Sequence, residues 1–247
     1  MAKQILSMNQ VLIIIPTLNE VENINNIIKA VFDIDSNYDI LVVDDNSTDG
    51  TINIIKNLQK SHPNLHLEIR ISSRGLGKAY IHGFKWAIQR DYEYVLEMDA
   101  DFSHNPEDLP RLINACKEGN NDVAIGSRYI NNKINVINWD FKRLMLSYFA
   151  SKYVKFVTGI PVFDTTAGFI CYRRKVLETI DFSKIRFTGY AFQIEMKFKA
   201  WLHKFKIKEV SIIFTDRTKG TSKLDSSIIS EAIFGVIRMK FKGLTKK

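Results

Sequence analysis

The sequence predicts an α/β fold with a mostly parallel central sheet flanked by helices, on three observations. Short apolar runs alternate with segments of helical periodicity through residues 11–126. The runs are continuous and rich in β-branched residues, as in strands covered on both faces. Three of them end in polar loops crowded with Asp, Asn and Glu, and open α/β sheets bind ligands at that end of their strands.

Each element follows from its own residues. Val11-Leu12-Ile13-Ile14-Ile15 reads as a buried strand stopped by Pro16. Asn19 is a candidate cap for a helix carrying Val21, Ile24, Ile27, Ile28 and Val31 at helical spacing. Ile40-Leu41-Val42-Val43 is a second strand, ending at Asp44-Asp45, and Thr48 or Asp49 caps a helix with Ile52, Ile55 and Leu58. Residues 67–71 give a third strand, 78–90 a helix, and 93–98 a strand ending at Asp99-Ala100-Asp101. A helix over 106–118 and a strand over 122–126 complete a β-α-β-α order, which implies parallel pairing. Beyond this lie a long helix at 139–157 with basic residues among aromatics, a short strand at 169–172, a helix at 190–202 and a strand at 207–214. A polar loop over 215–226 precedes a final helix. No Gly/Pro-rich linker separates the halves, so the expectation is one domain over 1–226 and an amphipathic, basic C-terminal helix over 227–247.

The 247 residues are 45% hydrophobic and 25% charged, ordinary for a globular chain with a substantial core. The formal net charge of +8 suggests an anionic partner: nucleic acid, a phosphorylated substrate or an anionic membrane surface. Cys116 and Cys171 form no metal-ligand pattern, which makes reduced thiols in the cytosol the expectation. No stretch approaches the ~20 apolar residues that span a bilayer, so any membrane role is expected to be peripheral.

Asp99-Ala100-Asp101 is the most chemically informative stretch. Two carboxylates so close repel unless a cation or donors neutralise them, and a divalent ion bridging to a diphosphate is the simplest solution. The alternative is ordinary turn or cap use of Asp. Residues 16–20, 44–50 and 99–101 follow three separate strands, and a parallel sheet brings them to one edge, where they fit a nucleotide site better than independent caps. A glycine phosphate fingerprint is missing after the first strand, which disfavours a dinucleotide oxidoreductase. Gly75-Leu76-Gly77 lacks the Gly-Lys-Ser/Thr ending of an NTPase loop and reads as a capping turn packed close to the sheet. His82 reads as a packing or hydrogen-bonding histidine, and His104, beside the acids, could support their ligands from behind but has no partner His or Cys for zinc.

The chain resembles family-2 glycosyltransferases of the GT-A fold, and within them polyprenol-phosphate (dolichol-phosphate) mannosyltransferases. The motifs are Pro16-Thr17-x-Asn19-Glu20, Val43-Asp44-Asp45-Asn46-Ser47-x-Asp49-Gly50-Thr51, Gly75-Leu76-Gly77-x-Ala79-Tyr80-Ile81-His82-Gly83 and Met98-Asp99-Ala100-Asp101-x-Ser103-His104. They continue through Gly126-Ser127-Arg128-Tyr129, Trp139-x-x-Lys142-Arg143, Gly189-Tyr190-x-Phe192-Gln193-x-Glu195-Met196 and Asp216-Arg217-x-x-Gly220-x-Ser222-Lys223. The resemblance implies a GT-A (Rossmann-like) single domain that transfers mannose from GDP-mannose to a polyprenyl or dolichyl monophosphate, with inversion. Nucleotide-sugar contacts are implied at Pro16, Leu18, Glu20, Val43 and Asp45, with Leu18 standing where the family usually has an aromatic. Asp99, Ala100, Asp101 and Ser103 would form the edge for diphosphate and Mg²⁺ or Mn²⁺, with Asp101 the foremost metal ligand and Ser103 where some relatives have Gln. Arg128 would contact phosphate on both substrates, Arg143 the acceptor phosphate, and Arg217 and Lys223 the donor diphosphate. Asp99, Asp101, Arg128 and Arg217 are thus the expected catalytic set. A guanidinium offers donors matched to phosphate oxygens. Arg74, Lys78 and Arg111 read as surface charge, and Glu195 either positions the sugar or is structural.

A lipid monophosphate has its second ionisation near pKa of about 6, by analogy with phosphate esters on proteins, so it needs little help from a general base. The final segment carries Ile228, Ile229, Ala232, Ile233, Val236 and Ile237, then Arg238, Lys240, Lys242, Lys246 and Lys247. It fits a helix in an anionic interface or one packed on the domain. Peripheral attachment to the cytoplasmic face, or a separate membrane-anchoring subunit, is expected. Competing expectations are transfer of another sugar such as glucose, Ile170 standing where the family commonly has a basic residue, and a non-catalytic lipid- or nucleotide-binding adaptor. Nucleic-acid binding explains the charge but not the strand-end acids, and no nucleic-acid partner is expected.

Overall fold

A computed structural model describes residues 10–71, 74–130, 133–187, 189, 191–216 and 235–241. Its strands are β1 (Val11–Thr17), β2 (Asp39–Asp44), β3 (Leu65–Ile69), β4 (Tyr94–Glu97), β5 (Val123–Ser127), β6 (Tyr129–Ile130), β7 (Lys133–Ile134), β8 (Val136–Ile137), β9 (Ile170–Arg173), β10 (Ile207–Ser211) and β11 (Phe214–Thr215). The helices are α1 (Ile24–Ile34), α2 (Thr51–Leu58), α3 (Leu76–Ile88), α4 (Leu109–Lys117), α5 (Phe141–Thr158), α6 (Arg174–Thr179) and α7 (Ala191–Leu202).

Seven strands form one sheet in the order β10-β5-β9-β4-β1-β2-β3. All neighbours pair in parallel except β9, which runs antiparallel to both β4 and β5. The α/β, mostly parallel expectation therefore holds, and the direction of β9 is what the strand's own four residues do not encode. From β1 the chain proceeds to β2 and β3 on one side, then crosses to β4 on the other. That reversal opens a crevice at the carboxyl ends of β1 and β4, where such sheets bind ligands.

Alternation explains why β1 is apolar throughout. Leu12 and Ile14 pack on the face that contains α3 and α7 residues, while Ile13 and Ile15 pack on the face of α1 and α4. Pro16 does not stop the strand, which continues to Thr17. The last β1–β4 pair is Ile14↔Glu97, so a residue two steps on faces a side where no ladder needs its missing N–H. β3 begins two residues earlier than its apolar pattern suggested. Helix α1 starts at Ile24, not beside Asn19, which has φ of 58° and serves another purpose described below.

Helix α5 begins at Asp140, whose carboxylate accepts the Arg143 N–H, and stops at Gly159 in the left-handed region with φ of 79°. Residues 235–241 are helical. Val236 there is completely buried against Val154 of α5 and Ile194 of α7, with Tyr153, Val157 and Met239 around them. The described part of the C-terminal segment thus packs on the domain, while Ile237 and Phe241 remain exposed. Residues 227–234 and 242–247 of that expected helix lie outside the described residues. Among the described residues, no helix is long and apolar enough to cross a membrane.

Candidate active site

The loops after β1 and β2 are fastened together by their own polar side chains. Thr17 Oγ1 and Ser47 Oγ donate to Asp44 Oδ2 at 2.6 and 2.7 Å, and Ser47 N donates to Oδ1. Asn19 receives Thr48 N on its Oδ1 and gives its own N–H to Ser47 Oγ. Glu20 N and Val21 N donate to Thr51 Oγ1 and Asp49 Oδ2, while Asp49 Oδ1 accepts from Thr51 N at the start of α2. Asp44, Asn19 and Asp49 are therefore accounted for by the scaffold; the cap position of α2 falls to Gly50 with φ of 106°, not to Thr48 or Asp49, whose carboxylate accepts from Thr51 instead.

Asp45 is different. It is buried, with Arg70 Nε 3.2 Å from Oδ1 and Gly75 N donating to Oδ2 at 2.9 Å. Gly75, with φ of 138°, starts α3, and a Cβ on Gly77 would meet the Phe192 ring at 2.8 Å. That turn is a close-packing device, as the missing NTPase ending implied. Val43, in register with Pro16, is completely buried beneath Asp45, while Pro16, Leu18 and Glu20 are half-buried at the strand end.

The acid pair lies at the end of β4. Asp99 Oδ1 accepts from Tyr80 Oη at 3.3 Å, and Asp99 N donates to His104 Nδ1 at 3.0 Å. Asp101 Oδ1 accepts both Ser103 N and Ser103 Oγ, at 3.1 and 2.6 Å, so Ser103 orients Asp101. Ala100 is buried between the acids. Phe102 occupies the left-handed region at φ of 61°, a conformation an aromatic residue adopts only where its surroundings enforce it. The loops after β1 and β2 turn in the same way at Asn19 and Asn46, residue types that tolerate it.

Burial disfavours the charged form of two groups behind the acids. His104 is buried and stacked on Phe169 at 4.8 Å, and burial lowers its pKa despite Asp99 and Asp101 nearby. Glu97, two residues before Asp99, is completely buried; burial pushes its pKa up to about 8 against the pull of Gln193 and Lys197. Gln193 Nε2 donates to Glu97 Oε2, and Lys197 Nζ donates to the carbonyls of Ala167 and Gln193. This cluster was not foreseen from sequence, because a single Glu inside an apolar strand carries no periodic signal. Glu195 accepts from Arg186 N and Phe187 N, which makes it a structural helix-face acid. His82 pairs with Glu68 at 3.1 Å on α3.

Arg128 follows β5 and is buried in a fork against Asp164: N, Nε and Nη2 donate to it at 2.9, 2.7 and 2.7 Å. Nη2 also donates to Thr166 Oγ1. Burial alone would raise the Asp164 pKa, but the Arg128 guanidinium holds it below the usual carboxylate value. Asp164 is itself held by Glu209, whose carboxylate accepts Phe163 N and Asp164 N. Arg143 on α5 donates to Asp216, and its guanidinium lies 4.5 Å from the Trp139 ring centre. Asp216 N in turn donates to Ile137 O of β8, and β8 pairs with β11. Arg217 and Lys223 lie outside the described residues.

Aromatic contacts join the two halves of the site. His104 meets Phe214 edge-on at 5.8 Å, Phe214 meets Trp139 edge-on at 5.4 Å, and Arg128 lies 5.5 and 5.4 Å from those two rings. An anionic strand end and a cationic cluster therefore share one aromatic wall.

The family model for glycosyl transferase family 2 matches residues 12–181. The chain belongs to glycosyl transferase family 2. Among relatives of this glycosyltransferase, the polyprenol monophosphomannose synthase of Mycolicibacterium smegmatis is 45% identical over 233 residues, covering 94% of this chain and 87% of that protein. The undecaprenyl-phosphate mannosyltransferase of Micrococcus luteus is 40% identical over 229 residues, 93% of each chain. Among solved structures, glucosyl-3-phosphoglycerate synthase from Mycobacterium tuberculosis, in complex with Mn²⁺, UDP and glucosyl-3-phosphoglycerate, superposes with a TM-score of 0.67 at 14% identity, over 95% of this chain and 79% of that one. A mannosyltransferase from Pyrobaculum calidifontis, in complex with GDP-Man and Mn²⁺, gives 0.58 at 17% identity, over 96% and 64%. These likenesses show the α/β, GT-A-like fold expected of a family-2 glycosyltransferase.

Proposed function

We propose that this glycosyltransferase moves mannose from GDP-mannose to a polyprenyl monophosphate with inversion at the anomeric carbon. One observation supports the reading: the strand-end acids beside His104 and the guanidinium groups of Arg128 and Arg143 border one aromatic wall made by His104, Phe214 and Trp139. The two relatives named for mannose transfer to polyprenyl phosphate share 40–45% of residues over nearly the whole chain.

Asp99 and Asp101 supply hard oxygen donors suited to Mg²⁺ or Mn²⁺. Mg²⁺ is commonly held by one or two carboxylates together with substrate phosphates, so Asp99 and Asp101 would be the residues that hold it here. When bound, the cation neutralises charge on the departing diphosphate. The protein's own share is alignment and screening. Asp45 and the backbone at 16–20 hold the nucleoside, Arg217 and Lys223 hold the donor diphosphate, and Arg128 and Arg143 hold the acceptor phosphate. An acceptor oxygen attacks the anomeric carbon, the bond from that carbon to the diphosphate oxygen breaks, and GDP leaves with the electron pair. The nucleophile is already anionic, so no side chain has to remove a proton.

The lipid tail needs an exit. Helix α5 exposes Phe141, Leu146, Phe149 and Phe156, with Lys142 and Lys152 among them, on the helix that carries Arg143. Aromatic and aliphatic side chains flanked by lysines suit an anionic membrane surface. Ile237 and Phe241 of the docked C-terminal helix add to the exposed apolar set. We therefore place the α5 side of the domain against the membrane, bound peripherally.

The test is a matrix of nucleotide sugars against polyprenyl phosphate with Mg²⁺, Mn²⁺ or EDTA. GDP-mannose with metal should give β-linked polyprenyl phosphate mannose. Net retention, or preference for UDP-glucose, would overturn the mechanism or the sugar respectively, and binding without turnover would make the chain an adaptor.

A further inference from the structure

Trp139 has a buried indole N–H with no hydrogen-bond partner among the described residues. Such a donor is rare in a folded protein, because leaving it unpaired forfeits the hydrogen bond it made to water. Its surroundings are equally unusual. The Arg143 guanidinium lies 4.5 Å from the ring centre and that of Arg128 5.4 Å, so one indole touches both cations. The ring is fixed by Phe214 on its edge and by its place one residue before the cap of α5.

The partners of the two arginines sharpen the point. Asp164 and Thr166 take up Nε and Nη2 of Arg128, and Nη1 makes no hydrogen bond among the described residues. Arg143 gives Nη1 to Asp216. Each cation is thus held by a carboxylate on one edge while its face rests near the same indole. The ligand that suits an unpaired N–H on a ring flanked by two guanidinium groups is an anion with several oxygens.

We infer that Trp139 is a binding residue for a substrate phosphate, its indole N–H donating to an oxygen of the acceptor lipid phosphate held by Arg128 and Arg143. The inference rests on the acceptor-phosphate assignment made above for those arginines. Trp139 then has two functions: its ring face orders the guanidinium groups, and its N–H adds a neutral donor that costs no further charge repulsion between neighbouring cations.

The experiment uses the full chain, farnesyl phosphate as a soluble acceptor and GDP as the donor-side probe. Three tryptophans, Trp86, Trp139 and Trp201, give three indole N–H signals in a ¹⁵N spectrum, and the one missing in Trp139→Phe is Trp139. Farnesyl phosphate should move that signal downfield in the wild-type protein, and GDP alone should not. Trp139→Phe, which keeps an aromatic ring, should raise KM for farnesyl phosphate on the order of 10-fold, the loss of a hydrogen bond to a charged group. Its KM for GDP-mannose and its kcat should stay within about twofold, the pattern of lost ground-state binding. A signal that moves with GDP and not with farnesyl phosphate would assign the N–H to the donor diphosphate and overturn the inference, as would a signal that moves with neither. Arg143→Ala separates the two levels. If it raises the acceptor KM while Trp139→Phe does not, only the Trp139 assignment falls; if it leaves the acceptor KM unchanged, the phosphate site beneath it falls as well.

Discussion

Breaking the Arg128–Asp164 pair should cost far more than losing an exposed ion pair, and the loss should be mostly recovered when both partners go. Both residues are buried, and three donor atoms of Arg128 reach one carboxylate at 2.7–2.9 Å. Removing one partner of such a pair strands a charge in the interior and costs about 3–5 kcal/mol. For a chain of this length each kcal/mol moves Tm by roughly 2–4 °C, so Arg128→Met or Asp164→Leu should lower Tm by roughly 6–20 °C. The double variant replaces the pair by apolar groups and should sit well above the sum of the single losses, a coupling measured by a double-mutant cycle in urea. The sign with pH is also fixed. In the wild-type protein Arg128 holds the Asp164 pKa below its ordinary value, so the pair's contribution is present above the unfolded pKa near 3.9 and is lost as pH falls through the folded value. In Arg128→Met the guanidinium no longer offsets burial, though the residue-128 N–H and Lys197 still oppose it, so the Asp164 pKa rises relative to wild type and that variant's deficit should shrink as pH falls through it. Single losses below about 1 kcal/mol, the range of exposed pairs, would refute the reasoning. So would losses that add in the double variant.

Asp101→Asn should lower kcat by about 100-fold or more while leaving farnesyl phosphate binding by calorimetry unchanged, since a lost transition-state contact appears in the rate; equal loss of both would remove Asp101 from the donor end. Lys197 is buried and its pKa falls to about 8, below its unfolded value, so native stability should rise with pH between about 8 and 10.4 as the unfolded chain alone stays protonated. Lys197→Met should flatten that rise in urea midpoints measured across the interval. Phe149→Ser combined with Phe156→Ser should weaken sedimentation with anionic lipid vesicles by about tenfold, as removal of buried apolar area from an interface requires. Turnover of farnesyl phosphate in solution should be unchanged in that variant, and unchanged vesicle binding would move the membrane face elsewhere.

How far the chain could be read depended on whether its signals were periodic. β1, β2 and α1 were legible because consecutive or helically spaced Ile and Val residues state both the element and its covered faces. The ends were less legible. Asn19 looks like a cap from its neighbours, yet its side chain is spent on the backbone of residue 48, a pairing set by the parallel register of β1 and β2. The antiparallel course of β9 comes from where β4 and β5 leave a gap, information absent from Ile170–Arg173 itself. The same divide runs through the site. Asp99, Asp101 and Arg128 announce themselves by position after apolar runs, whereas Asp164, Glu97 and Lys197 matter through partners 36, 96 and 30 residues away. An isolated polar residue in an apolar stretch says that a partner exists without saying which.

The distribution of charge in the site agrees with a reaction that needs no proton transfer. A site built around a general base holds a titratable group near the reacting atoms with a pKa close to the working pH. Beside the acid pair, His104 gives its Nδ1 lone pair to Asp99 N and is kept neutral by burial. Glu97 points into the core against Gln193, and Tyr80, which touches Asp99, is pushed well above its ordinary pKa by burial and by that carboxylate. None of the three is free to accept a proton from an acceptor. On the other side, Arg128 and Arg143 are each braced by a carboxylate, so they hold their positions before a substrate arrives. On the proposed assignment, cations already braced for one phosphate and carboxylates already set for the metal of another would reduce the work of catalysis to holding two anions in line and screening their repulsion. None of these three would serve an alcohol acceptor as a base, and a phosphate monoester, ionised near neutrality, needs none.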